Sequence, residues 1–386
     1  MSHAIPYGRQ NITQDDIDSV VETLQSDYLT QGPAIAKFEQ SYAEKTNAKH
    51  ACAVTSATAA LHLAYQALDF GEGDILWTVP NTFVATSNAA LYLNGTIDFV
   101  DIDIDDFCIS IEKLEIKLKQ AKTDSKLPKI VTPVHFGGMS CDMQSLARLA
   151  KEYNFKIVED ASHCVGAIYD EQPVGSCIYS DICVFSFHPV KIITTGEGGM
   201  ITTNDPDLFD KIMMARTHGI TKDPQKMINS TPAPWEMEQH FLGFNYRMTD
   251  IQAALGHSQL QRLDDNMKRR CDIAKKYQKA FHGLPIKTQK QNSEGQSSWH
   301  LFPVLFETSK IRQDVYNHLR ENDIFAQVHY IPVHTQPYYK GLGFEDGDFP
   351  VAEDYYSRCL SIPMYHGLDD TDQERVIKVI KDFFND

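Results

Sequence analysis

From residue 50 to residue 160 short apolar stretches alternate with amphipathic ones, and that alternation narrows the folds open to the chain. HACAVT, DILWTVP, TIDFVDI, KIVTPVHF and FKIVED each read as a strand. Between them ATAALHLAYQAL, FVATSNAALYL, a charged stretch near residues 111–122 and another near 143–153 read as helices. Strand, helix and strand in that order make right-handed crossovers, so the expected fold is α/β, with a mainly parallel sheet flanked by helices. DICVFSF and GMITTN extend the series by two short strands.

The flanks are read in the same way. Thr13 caps a first helix with Asp16 three residues on, and Ile17, Val20, Val21 and Leu24 follow at helical spacing. A second helix is expected over residues 34–44, beyond the turn-rich YLTQGP. Residues 221–239 hold three prolines and little periodicity, which reads as a functional loop or lid. One long helix is expected over 249–282, then an exposed polar connection over 287–298. A strand (299–306), a helix, a strand (325–330) and a terminal helix complete a smaller α+β domain. The expected division is 1–255 for the large domain with its N-terminal helical segment, and 256–386 for the connecting helix and the small domain.

Composition excludes several classes of function. The 386 residues are 42% hydrophobic, enough for a substantial core. A net charge of −16 argues against nucleic acid and membrane surfaces as partners. No apolar run has the length of a membrane span and no secretory signal is visible, so a cytoplasmic protein is expected. The eight cysteines are scattered, without C-x-x-C, and read as buried free thiols in a reducing compartment. His and Cys never fall at zinc-ligand spacing, so no metal is expected.

The chemistry-bearing candidates sit where strands run out. In FSFHPVKIITTGEGG, Lys191 lies between Pro189-Val190 and Ile192-Ile193. An arbitrary lysine is a solvated surface group, but a lysine held among apolar residues loses its proton more easily, which suits Schiff-base chemistry. Asp160, in VEDASH, ends an apolar strand. It could cap a helix or, equally, pair with a protonated pyridine nitrogen at the carboxyl edge of the sheet. In TSATAAL, Ala57 and Thr58 open a helix whose N–H groups could hold phosphate, although Ser and Thr cap many helices that bind nothing. Phe83 also follows a strand, where a core aromatic is the ordinary reading.

Together SATAAL, TFVATSNA, EDASH, FSFHPVK-ITTGEGG and GFNYRMTDIQAALG resemble the DegT/DnrJ/EryC1/StrS family of sugar aminotransferases over nearly the whole chain. The resemblance implies the type I aminotransferase fold and a homodimer with active sites at the subunit interface. It implies pyridoxal 5′-phosphate (PLP) as cofactor, with Lys191 as its Schiff-base lysine and Asp160 on the pyridine nitrogen. His163 is implied near the cofactor's phenolic oxygen, and Phe83 stacked on the ring. The backbone at Ala57 and Thr58 and the Ser186 hydroxyl would hold the phosphate, with Asn245 reaching it from the other subunit. AQVHYIP, YLTQG, SATAALH and FSFHPVK are most similar to family members that aminate C4 of a UDP-linked 4-keto sugar, with L-glutamate the expected donor. That similarity puts Tyr7, Asp27, Tyr28, Leu29, Thr30, Val328, His329, Tyr330 and Ile331 at the sugar nucleotide. A perosamine- or bacillosamine-type 4-aminotransferase remains open, as does a non-catalytic sugar-nucleotide binder on the same scaffold. A dehydratase relative would carry histidine in place of Lys191.

Overall fold

The computed structural model describes residues 3–385. The alternating region builds one seven-stranded sheet: β1 (His50–Val54), β2 (Ile75–Thr78), β3 (Thr96–Phe99), β4 (Ile130–Val131), β5 (Lys156–Asp160), β6 (Ile182–Ser186) and β7 (Gly199–Thr203). Their order is β1-β7-β6-β5-β4-β2-β3. The pairings from β3 through β6 are parallel, and only β7 runs antiparallel to its neighbours β6 and β1. The mainly parallel sheet is therefore as expected. Both faces are apolar because helices cover both, among them α3 (Ala57–Ala67), α4 (Ala85–Leu91), α5 (Ile111–Thr123) and α6 (Met143–Tyr153).

A second, three-stranded antiparallel sheet joins β8 (Ile286–Thr288), β9 (Phe302–Phe306) and β10 (Cys359–Ile362). With α10 (Ser309–Glu321) and α13 (Asp370–Asn385) it encloses its own core around Tyr277, Phe302, Val315, Leu360 and Val376. Ile5, wholly buried, belongs to this second core and pairs with Ile324, so the start of the chain packs with its C-terminal part.

Four local expectations change. The helix expected over 249–282 is two, α8 (Asp250–Gln261) and α9 (Leu263–Phe281), interrupted at Arg262 (φ −103°, ψ 12°). The Arg262 side chain is drawn to Asp16 (Nη2 to Oδ2, 2.5 Å). Residues 325–330 form no strand: Gln327 alone pairs with Ser361, and the Tyr330 N–H is taken by Asn81 Oδ1. Residues 287–298 are not all exposed, since Gln289 donates to the carbonyls of Asp106 and Phe136, and Ser298 donates to that of His163. Helix α1 (Gln14–Leu24) forms with the expected Thr13–Asp16 capping box, but its apolar face points outward. Ile17, Val21 and Leu24 are 42–53% exposed. Buried Asp16 instead turns toward α8, accepting hydrogen bonds from Ser258 (2.6 Å) and Gln259 (2.7 Å) as well as Arg262. Unpaired, that carboxylate would cost more than three half-exposed aliphatic side chains.

Candidate active site

The parallel register sets the site. Asp160 pairs with Val184, so Asp160 and Ser186 both lie at the carboxyl edge of adjacent strands β5 and β6. Beyond Ser186 a turn, closed by Lys191 N–H to the His188 carbonyl, brings Lys191 back over the same edge. Ile192 and Ile193, on its C-terminal side, are buried. From the other side comes the β1–α3 turn. Ser56 caps α3 by accepting from the Ala59 N–H, which leaves the Ala57 and Thr58 N–H groups without partners inside the helix. Gly199 permits this approach: a Cβ there would lie 2.7–2.8 Å from the backbone of Ser56 and Ala57.

These residues line one cavity of about 480 Å³, together with Tyr7, Phe83, His163, His329 and Tyr330. Phe83 is 61% exposed, so it is not a core aromatic; its ring stands at the cavity wall. Burial pushes the Lys191 amine down to about 8, against the pull of the Asp160 carboxylate. Burial, reinforced by the charge on Lys191, also holds His163 and His300 well below the usual imidazole value and His329 at about 3. At neutral pH the three imidazoles are uncharged.

His163 is more constrained than the sequence suggests. Its Nδ1 accepts from the Gly137 N–H (3.3 Å), so in the neutral ring the proton sits on Nε2 and is donated to the Tyr330 hydroxyl (2.9 Å). The Tyr330 O–H is then free to donate elsewhere. The segment carrying His329 and Tyr330 is held to the sheet edge by Asn81 and by Val333 N–H to the Pro80 carbonyl.

Not every expected residue reaches the cavity. Val328 packs between the two cores, and Ile331 is 49% exposed beside it. Asp27, Tyr28, Leu29, Thr30 and Asn245 are exposed and line no part of the cavity within this chain. The turn and Asn245 are anchored to the two ends of one segment, residues 245–250. Thr30 bridges Thr249, the Asp250 N–H donates to the Leu29 carbonyl, and Thr55 N–H bonds the Tyr246 carbonyl beside Asn245.

Other lining residues were not singled out. Glu197 sits in the Gly-rich segment that follows Lys191, and Thr82 and Thr86 flank Phe83 in NTFVAT, so motif membership was a signal for all three. His300 comes from the far end of the chain and had none.

The donor set fits PLP: a carboxylate for the ring nitrogen, an aromatic face, a buried amine, and two N–H groups with a hydroxyl for phosphate. Comparisons agree. Residues 10–381 match the model of the DegT/DnrJ/EryC1/StrS aminotransferase family. The chain belongs to that family. It is 40% identical over 387 residues to the spore coat polysaccharide biosynthesis protein SpsC of Bacillus subtilis, covering 99% of this chain and 97% of the relative. It is 39% identical over 364 residues to the UDP-4-amino-4,6-dideoxy-N-acetyl-β-L-altrosamine transaminase of Campylobacter jejuni, covering 94% and 92%. Helicobacter pylori PseC, an aminotransferase of pseudaminic acid biosynthesis, superposes with a TM-score of 0.90 at 30% identity over 99% of both chains. A Streptococcus pneumoniae protein in its PLP form superposes at 0.89 with 28% identity, again over 99% of both. As a DegT/DnrJ/EryC1/StrS protein the chain has the type I aminotransferase fold and is a PLP-dependent sugar transaminase.

Proposed function

We propose that this enzyme transfers an amino group from L-glutamate to C4 of UDP-2-acetamido-2,6-dideoxy-β-L-arabino-hex-4-ulose, a step toward pseudaminic acid. The observation that carries the chemistry is Lys191, a half-buried amine lowered to about 8, in one cavity with Asp160 and the open N-terminus of α3. The C. jejuni and H. pylori relatives carry the choice of sugar.

Pyridoxal phosphate, when bound, supplies a carbonyl for amines and an electron sink for the bond that breaks. Asp160 would hold its ring nitrogen protonated, Phe83 would cover one face, and Ser186 with Ala57 and Thr58 would grip its phosphate. Lys191, displaced by the amino donor, is a neutral amine in much of the population at pH 8 and takes the α-proton as general base. In the second half-reaction the same amine would move the proton in the opposite sense, delivering it to sugar C4. Neutral His163 orients Tyr330, whose free O–H faces the substrate, and Tyr7 and His329 complete the wall.

Two features support a homodimer. The cavity lining contains no cation besides Lys191 to meet a nucleotide diphosphate or a dicarboxylate, and Asn245 and the Asp27–Thr30 turn both lie outside it. Next to that turn, whose Leu29 is 48% exposed, the outward face of α1 leaves Ile17, Val21 and Leu24 42–53% exposed, apolar surface suited to a second subunit. We place Asn245 on the partner's cofactor phosphate, and Asp27, Tyr28, Leu29 and Thr30 with Val328 and Ile331 along the sugar nucleotide. The eight unpaired cysteines, seven of them buried, suit the cytoplasm.

The similarity to the B. subtilis spore-coat protein favours one rival reading, amination of a different nucleotide-linked 4-keto-6-deoxy sugar. Purified protein should be yellow, glutamate should bleach it, and a panel of UDP-, GDP- and dTDP-linked 4-keto sugars should restore the colour fastest with the UDP sugar. Protein that takes up no cofactor would sink the whole reading. Faster recovery with a GDP- or dTDP-linked sugar would replace the substrate alone.

A further inference from the structure

Asp160 does not stand alone at the end of β5. Its Oδ2 accepts from the Thr86 hydroxyl at 2.7 Å, and its Oδ1 accepts from the Ser162 N–H at 3.1 Å. Thr86 Oγ1 also lies 2.9 Å from Thr82 Oγ1. An ionised carboxylate only accepts, so the Thr86 hydrogen must point to Asp160, and the Thr82 hydrogen then points to Thr86. The competing acceptor for Thr86, the Phe83 carbonyl, is more distant at 3.3 Å. Both threonines are almost wholly buried, and both border the cavity.

The backbone of Thr86 is fixed as well. Tyr65, wholly buried on α3, donates to the Thr86 carbonyl at 3.0 Å and lies 3.1 Å from Thr132 Oγ1. The Thr132 carbonyl in turn accepts from Thr78 on β2 at 2.8 Å. Thr86 is thus braced from α3, β2 and the segment after β4, and its hydroxyl has one low-energy direction. A hydroxyl to a carboxylate is among the stronger hydrogen bonds, and it fixes the direction in which the carboxylate points.

We propose that Thr86, oriented by Thr82, is the positioning residue that holds the Asp160 carboxylate aimed at the cofactor ring nitrogen. The inference rests on the reading of Asp160 as the partner of that nitrogen. Without the Thr86 hydroxyl, the Asp160 carboxylate loses the bond that fixes its direction and pairs less well with the ring nitrogen, which then holds its proton less firmly. The residue acts through Asp160 and touches no reacting atom.

The test loads the full-length enzyme with cofactor ¹⁵N-labelled at the ring nitrogen and reads its protonation by NMR. Thr86→Val, which keeps the shape and loses the hydroxyl, should move the signal toward the unprotonated position. It should lower kcat about 10- to 100-fold with little change in KM, the size of a lost hydrogen bond to a charged group. Thr86→Ser should restore both readouts, and Thr82→Val should give a smaller shift in the same direction. A Thr86→Val enzyme with a protonated ring and kcat within about twofold of wild type would overturn the relay. Asp160→Asn, measured alongside, separates the two failures: if it too leaves the nitrogen protonated, Asp160 itself has been misassigned, whereas silence of Thr86→Val alone brings down only the relay.

Discussion

The two halves of the site are built differently. The half proposed to hold the cofactor ring and, through Ser186, its phosphate is built within one chain from buried groups: Asp160, His163 and Ser186 are each at most 7% exposed. They sit on strand ends or are cross-braced, as His163 is by Gly137 and Tyr330. The half proposed to be completed by a second subunit is made of exposed residues, Asn245 for the phosphate and the Asp27–Thr30 turn for the nucleotide, which line no part of the cavity within the chain. Chemistry that must be exact to fractions of an ångström rests on the rigid sheet edge. Recognition, which differs from one sugar to the next, rests on loops that a second subunit would have to order.

The sharpest way to break that comparison is to inactivate the halves separately. Lys191→Ala should abolish turnover, and Asn245→Ala should loosen the cofactor and cut activity by about 10-fold or more. Mixing the two inactive chains should restore about a quarter of wild-type activity, since half the dimers would be mixed and each would carry one intact site. No recovery on mixing would return Asn245 to its own subunit and end the shared-site reading.

A smaller effect lies in the pH profile. Lys191 works as a base, so with enzyme preloaded as pyridoxamine phosphate, sugar amination should rise with pH through about 8 and level off above. A flat profile from pH 6 to 9 would show that proton transfer by Lys191 is not limiting.

The smallest effect is on stability, and it belongs wholly to the buried half. Because Lys191 falls from 10.5 to about 8 on folding, the unfolded chain holds more protons between those values, and stability rises with pH across that window. Below it, the cofactor-free enzyme bears the cost of a buried ammonium. Lys191→Met should therefore stabilise cofactor-free protein at pH 7 by about 1–2 kcal/mol in denaturant titration, a gain that fades as pH approaches 10.5. Equal gains at pH 7 and pH 10 would mean the lysine is not held in a low-dielectric site.

The seven-stranded sheet was legible because its signals are local. Strand and helix periods, the cap at Ser56 and the turn after Ser186 are written in neighbouring residues, and a parallel sheet forces consecutive strand ends to one edge. That is why Asp160, Ser186, Lys191 and the Ala57-Thr58 turn could be picked out and do meet. The smaller sheet was not legible in the same way. β8 and β10 are short, with one stretch half-polar, and their partners lie tens of residues away. Residues 325–330 have a strand-like pattern, yet their hydrogen bonds go to Asn81, Ile5 and Ser361 one at a time.

What the sequence determined by itself was the sheet, the edge that carries the cavity and the groups proposed to anchor the cofactor, since each depends on spacing along the chain. Only the tertiary structure decided the rest. It turned the apolar face of α1 outward because Asp16 is satisfied by Ser258, Gln259 and Arg262, more than 240 residues away in sequence. It committed His163 to Tyr330, brought Thr86 onto Asp160 and left Asn245 outside the cavity. These outcomes depend on which distant donor reaches which acceptor, and no period or motif along a chain encodes that distance.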